Sequence, residues 1–504
     1  MFGGVFSALS LAILILVLVV ECWKVYLNKT KLKNFYHVKG WPVIGTAFNL
    51  IGKNNEQIFE SFKTNELSYT WVGPMRLFHV DRPEDFQAIL TSNKCLKKAF
   101  PYDFLNNRTG LLTAHPSIWK DHRRTLNVTL GSKMVHSFMP IFNEKFNKMC
   151  NLLERKLNSN IDIHCAFFNV SMDLVLSTSF GLNWSKLSMQ NGRGDEIHNL
   201  IIEIMEDVQN RIQKCWQWNP IYKFTQNYET DVEKFRKFYQ FSRSTLEIKR
   251  MDLAEKLEHG ENELDEAKEK NCQNFLQKCL QLEFEQKWTM EEVYEEMDTM
   301  LIASVDTSAT VLSGTIIMLA IHQEYQERVV DEMREIFESV DEPVTNDHLK
   351  RMSFSELVIK EALRYFPIAP FIGRECTADF PINGGIIPKG SQVFLDVLRM
   401  NKNPKYYGEN VNEFYPERFL PENCANWHPY LSVPFSAGPR NCIGNRYAWT
   451  MMKIALSHIL RRFKLTTDLR MQDVVIKPYL LLKIGNKNAI RIERREWKRE
   501  SQII

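Results

Sequence analysis

Cys442 stands in the run Phe435-Ser-Ala-Gly-Pro-Arg-Asn-Cys-Ile-Gly444, two residues after Arg440, in a turn rich in Gly and Pro. A thiolate persists only beside donors and positive charge. Gly438 and Gly444 free the backbone to bend, so that amide N–H groups can face the sulfur. The run passes into an apolar helical stretch, Tyr447 to Leu460, and the positive end of a helix adds to the same field. Such a setting suits one axial thiolate on haem iron, which makes Cys442 the metal ligand.

A second chemical pair is Asp306-Thr307, midway along a stretch, 289–322, that reads as one long helix with an apolar middle. An acid and an alcohol are costly there unless used. They are the candidate catalytic residues, suited to moving protons. The alternative is a threonine that only bonds its own i−4 carbonyl and bends the helix. Two residues before the acid stands Ser304, in Ala303-Ser304-Val305-Asp306.

Cations and one acid complete the set. Haem carries two propionates, which call for bidentate cations. Arginines able to clasp such groups include Arg123 in Trp119-Lys-Asp-His-Arg123, Arg374 after Pro367-Ile-Ala-Pro-Phe-Ile-Gly373, and Arg440. Glu361-Ala-Leu-Arg364 sets a carboxylate and a guanidinium on one helical face. Arg418 follows in Tyr415-Pro-Glu-Arg-Phe419.

The elements that must position these groups are mostly helical. Periodicity and Pro/Gly punctuation predict helices near 55–67, 83–92, over 117–182 and 195–256, then at 289–322, 323–339, 353–366 and 443–462. Extended chain is expected at 71–80 and after Pro367, with a hairpin signal at Gly384–Gly390. Residues 99–116 read as a loop, 400–433 as irregular chain, and the charge-dense 255–270 as a solvated loop or frayed helix end. The class is mainly α with minor β. Residues 289–322 are not a membrane span, because Asp298 and Asp306 interrupt the apolar run.

With 504 residues, 44% apolar and a net charge of +3, the chain can bury one large core and is too balanced to imply nucleic acid. Ten scattered cysteines without a Cys-x-x-Cys pair exclude a zinc ribbon and a disulfide framework. Val5 to Val20 carries no charge, Trp23 and Tyr26 suit an interface, and Lys24, Lys29, Lys31 and Lys33 follow. This reads as an uncleaved signal anchor with a cytosolic body, rather than a cleaved signal. The expected division is an anchor at 1–22, a basic linker with a Pro/Gly hinge around Pro42 at 23–45, and a catalytic domain at 46–504. In a cytosolic body the sequons at Asn28, Asn107, Asn127, Asn169 and Asn183 stay unused.

Phe435, Gly438, Arg440, Cys442 and Gly444 fall at the spacing of the cytochrome P450 haem-binding loop, and the chain resembles that family over almost its whole length. The helix from Glu296 to Thr307 resembles the fatty-acid ω-hydroxylase clan with its arthropod members. The resemblance implies the cytochrome P450 fold, a helix-rich domain around a buried haem with a small β-rich part. It implies haem b (iron protoporphyrin IX) and a monooxygenase that puts one atom of O2 into a lipophilic substrate such as a fatty acid, hormone-like lipid or xenobiotic. Trp119, Arg123, Arg374 and Arg440 then reach propionates, Asp306 and Thr307 form the acid–alcohol pair, and Glu361, Arg364 and Arg418 form a buried triad.

Many clan members esterify the haem through a glutamate where this chain has Ala303, so non-covalent haem is expected. The family usually opens an oxygen groove with Ala-Gly or Gly-Gly before the acid, where this chain has the bulkier Ser304. Implied partners are NADPH-cytochrome P450 reductase and cytochrome b5, on an endoplasmic reticulum membrane. Since no Gly-x-Gly-x-x-Gly nucleotide loop is present, the reductase is a separate protein. Lys120, Arg124 and Lys453 are the candidate cations for docking it. Substrate contacts fall on 100–115, on 203–222 with Trp216 and Trp218, on Ile302–Thr307, on Ile368–Gly373 and on Tyr479–Leu481. A reductase-independent isomerase or dehydratase of lipid peroxides and a non-catalytic haem carrier are the rival readings.

Overall fold

The computed structural model describes residues 14–23, 26, 30–41, 44–47, 62, 67–182, 194–214, 221–259, 272–478, 480–486 and 489–497. Most of the expected helix at 55–67, the hinge proline Pro42, Lys24, Lys29, Trp216, Trp218, Tyr479 and most of 255–270 lie outside them.

Helix α1 (Leu14–Trp23) leaves Leu14, Ile15, Leu16, Leu18 and Val19 exposed. Ten residues rise about 15 Å, half of a hydrocarbon core. Residues 1–13, the rest of the expected anchor, are outside the described chain. The body is built from α2 (Pro83–Thr91), α3 (Pro116–Leu126), α4 (Met139–Leu153), α5 (Ile163–Ser179), α6 (Gly194–Gln213), α7 (Asn227–Glu258), α8 (Phe275–Phe284), α9 (Met290–Ile321), α10 (Gln323–Ile336), α11 (Ser353–Tyr365) and α12 (Asn445–Arg462). Short helical turns at Phe100–Leu105, Pro404–Tyr407 and Pro421–Cys424 break up segments expected to be irregular.

The long helix is the axis of the core. Thr289 caps α9 by accepting from Glu292 N, and the Glu292 carboxylate returns to Thr289 N. Of its most apolar stretch, 78% is buried inside the protein, so it is a core helix. It packs most extensively along α5. Helix α8 was not expected; an Asn274–Gln277 capping box starts it and its apolar residues fill the same core.

A six-stranded sheet flanks the helices. Its strands are β1 (Tyr36–His37), β2 (Ser68–Val72), β3 (Met75–Val80), β4 (Lys97–Lys98), β5 (Phe371–Glu375) and β6 (Gln392–Asp396), in the order β1-β2-β3-β6-β5-β4. The β2–β3 turn uses Gly73 at φ +57°. The hairpin signal is realised as Phe380–Ile382 against Gly385–Ile387, turning on Asn383 and Gly384 at positive φ. At the sheet edge, Lys97 pairs with Glu375 and Lys98 with Arg374. That register carries two site cations onto adjacent strands.

Candidate functional site

The cysteine loop is held by its backbone. Cys442 N donates to Phe435 O at 2.9 Å, and the loop ends at Gly444, which caps α12. Gly438 has φ +69°, and a Cβ there would sit 2.1 Å from Leu90 O, so no other residue fits. The ring of Phe435 lies 6.1 Å from that of Trp449. Cys442 is enclosed by protein yet presents open surface. Burial, the largest influence, pushes its thiol up; the Gly444 N–H, Arg123 and Lys98 pull it down.

Arg123 and Lys98 act on Cys442 directly, and Arg374 and Arg440 stand beside Lys98. Arg374 is 1% exposed and its Nη1 donates to Gly373 O at 3.0 Å, while its Nη2 has no partner among the described residues. Arg440 is buried, lies 4.6 Å over the Trp119 ring, and donates to the carbonyls of Leu96, Leu111 and Ala114. It therefore fastens the 96–114 segment as well as adding charge. Burial, then the Arg374 charge, bring it down to about 9. Arg123 bonds Asn441 through both terminal nitrogens, at 2.6 and 2.7 Å, and Asn127 through Nε. Lys98, not foreseen from the sequence, stands over the Tyr102 ring at 4.7 Å. Burial first, then Arg374 and Arg440, hold its ammonium well below the usual range, against the pull of Cys442. Among the described residues, no carboxylate figures in the charges acting on Lys98, Arg374 or Arg440. Buried cations left without an acid, one with an orphaned N–H, are a receptor for an anion. Two propionates beside a metal-seeking sulfur meet that demand.

On α9 the acid and the alcohol point different ways. Asp306 is buried toward α5, where His164 Nε2 lies 3.4 Å from its Oδ1. Thr307 and Ala303, one turn apart, turn to a more open face. The Thr307 hydroxyl donates to Ala303 O at 2.7 Å, and Ser304 back-bonds to Met300 O. Both bonds are the helix-bending kind.

Behind the loop, Arg364 clasps Glu361 with two bonds, 2.7 and 2.8 Å, and Arg418 Nε reaches Glu361 Oε1 at 3.5 Å. Tyr415 N donates to the same oxygen at 2.9 Å. All three charged groups are buried. Among the expected docking cations, Lys120 and Arg124 are exposed. A recess of about 480 Å³, lined by both with Arg123, Pro439 and Asn441, opens outside the cysteine loop. Lys453 is a correction. It is buried and its ammonium bonds Glu356 at 2.8 Å and Leu349 O at 3.1 Å, because its face of α12 packs inward.

Of the expected substrate regions, the 100–115 segment lies on α9. Glu295 accepts from Arg108 N and from Thr109 N and Oγ1, and Leu111 N donates to Glu296. Asn107 donates to Glu295 O and Thr299 Oγ1.

The chain matches the family described as cytochrome P450 across residues 37–489. The mouse (Mus musculus) protein named cytochrome P450 4V2 is 28% identical over 484 residues, covering 92% of this chain and 91% of its own. Two Drosophila melanogaster proteins are similar in extent: probable cytochrome P450 4ac1 (28% identical, 89% of this chain and 86% of its own) and cytochrome P450 4c3 (29%, 90% and 87%). These relatives agree with the resemblance of the long helix to the ω-hydroxylase clan, and the family's haem b, bound through a cysteine thiolate, agrees with the sulfur and cations found here. This chain belongs to the cytochrome P450 family and is a haem monooxygenase.

Proposed function

We propose that the protein is a membrane-anchored monooxygenase that inserts one oxygen atom into a lipophilic substrate. Its electrons come from NADPH through a separate flavoprotein reductase. The reading rests above all on Cys442 standing among Lys98, Arg123, Arg374 and Arg440 without an acid. Cys442 would hold the iron, Arg123, Arg374 and Lys98 the propionates, and Trp119 and Arg440 the wall beside them. Bound there, the haem supplies dioxygen activation. Thr307 presents a hydroxyl on the more open side of α9, and Asp306 holds a carboxylate one residue away. The Glu361–Arg364–Arg418 cluster keeps the segment behind the loop rigid. The exposed apolar face of α1 supports a membrane attachment, which we place at the endoplasmic reticulum with the body in the cytosol.

Reconstitution with a microsomal NADPH reductase and a panel of lipids under ¹⁸O₂ tests this. A product heavier by one labelled oxygen supports it. A correctly ligated haem that draws no electrons with any lipid overturns it, and conversion of a lipid peroxide without reductase would establish the isomerase instead. Charge reversal of Lys120 and Arg124 should slow electron transfer in a salt-dependent way; unchanged rates would remove that recess as the docking surface.

A further inference from the structure

We propose that His164 is the positioning residue that feeds protons to Asp306. The inference rests on the monooxygenase reading above.

Asp306 is 2% exposed, and its Oδ2 has no partner among the described residues. A buried carboxylate needs a partner or a use. Its Oδ1 faces α5, where His164 stands in the first turn. His164 Nε2 stands 3.4 Å from Asp306 Oδ1 as an ion-pair contact and shares a hydrogen bond of 3.4 Å with Thr310 Oγ1, so it lies against two groups a helical turn apart on α9. The His164 side chain is 32% exposed. It is therefore the bridge between water and a carboxylate that water does not reach. Behind it, the His198 ring of α6 lies 6.4 Å away at 27°.

The choice of residue decides between a lock and a relay. An arginine or lysine at this place would set a fixed charge against Asp306. Histidine alone exchanges its proton near neutrality, and its two nitrogens can take a proton on one side and release it on the other. The step is a plain transfer. The Nε2–H bond of the imidazolium breaks, an O–H bond forms on Asp306, and the imidazole regains its proton from water. Residues 306 and 307 sit about 100° apart around the helix. The protonated carboxyl must therefore swing from the α5 side toward the more open face where Thr307 lies. Loss of negative charge frees it to do so, because it weakens the attraction to the neighbouring histidine.

Three variants test the relay: His164→Gln, which can hydrogen-bond but not carry a proton, Asp306→Asn, and the double variant. The resting protein is examined first. In ¹⁵N-histidine spectra of the ferrous carbon monoxide form, the His164 Nε2 signal (assigned by its loss in His164→Gln) should shift in Asp306→Asn. An unmoved signal means the two groups do not touch, and overturns the proposal. Reductase-driven NADPH consumption is then compared in H2O and D2O. A general acid is worth about 10²–10⁴-fold, and a group one step behind it should cost roughly tenfold. His164→Gln should slow consumption by that amount, enlarge the solvent isotope effect, and add nothing to Asp306→Asn in the double variant. A purely structural histidine would leave the isotope effect alone, and additive losses would mean independent roles; either result overturns the relay. A wild type that draws no electrons sinks the functional reading and the relay together. An active wild type whose His164→Gln variant matches it sinks the relay alone.

Discussion

His122 Nδ1 lies 2.8 Å from Glu296 Oε1, joining the helix that carries Arg123 to the helix that carries Asp306. The other Glu296 oxygen accepts from Leu111 N, and Glu295 beside it accepts from Arg108 and Thr109. Two adjacent carboxylates thus pin the 107–111 segment onto α9. Each buried acceptor removed strands donors at about 1–3 kcal/mol. Glu295→Ala should therefore speed backbone hydrogen exchange in 105–115 while leaving α12 unchanged. Gly110→Ala should do the same by another route, since a Cβ would stand 2.0 Å from Thr299 Oγ1. Equal exchange in wild type and both variants would show that the segment is held elsewhere.

Two residues after Glu296, burial raises the Asp298 carboxyl from 3.8 to about 7, with Ser242 and Arg243 opposing it only in part. Between those values the folded protein keeps a proton that the unfolded chain has lost. Stability then falls as pH rises through the window. At about 1.36 kcal/mol per unit the loss is bounded at about 4 kcal/mol. Asp298→Asn should flatten this slope. Melting midpoints of the two proteins should diverge between about pH 4 and pH 7, the variant gaining on the wild type as pH rises; a constant difference would mean that Asp298 ionises freely.

What was legible in the sequence was local. The Cys442 loop, the Asp306-Thr307 pair and the Glu361–Arg364 pair each fit within a few residues, where the resemblance to family motifs can single them out. Groups assembled by tertiary contact were not. Lys98 joins Arg374 only through the β4–β5 register, and His164 meets Asp306 only because α5 lies along α9. Lys453 was misread because helical spacing does not say which face packs inward. Helix α8 was missed because ten residues carry few turns of periodicity, though its Asn274–Gln277 cap was there to be seen.

The Glu361 carboxylate answers two guanidinium groups and the Tyr415 N–H. Glu361→Gln keeps the shape and removes the charge. Breaking a buried cluster in this way costs about 3–5 kcal/mol, because two cations stay buried without an anion. The expected outcome is a collapse of the ferrous carbon monoxide spectrum into its inactive form and a large fall in the melting midpoint. Retention of both would show that the arginines are satisfied by the carbonyls of Asn401 and Asn410.

The helix face that turns outward beside Thr307 carries Ala303, which offers no carboxylate to the haem edge. Acid–acetone extraction should therefore strip all haem from the protein, and haem that stays with the polypeptide would refute a purely non-covalent link.

The proposed role of Lys98 sets haem affinity against the stability of the haem-free fold. Burial and two neighbouring guanidinium groups disfavour its charge. Replacing it with methionine removes that repulsion and keeps the length of the side chain, so the haem-free protein should melt no lower than the wild type. If Lys98 holds a propionate as proposed, the same change would delete a charge-assisted bond, worth about 1.5–3 kcal/mol. Haem transfer to apomyoglobin should then quicken at least about tenfold. The two readouts must move in opposite directions or not at all together: faster haem loss with an equal or higher haem-free melting midpoint marks Lys98 as part of the anion receptor. A lower midpoint with unchanged haem loss would mark it as a structural lysine packed on Tyr102.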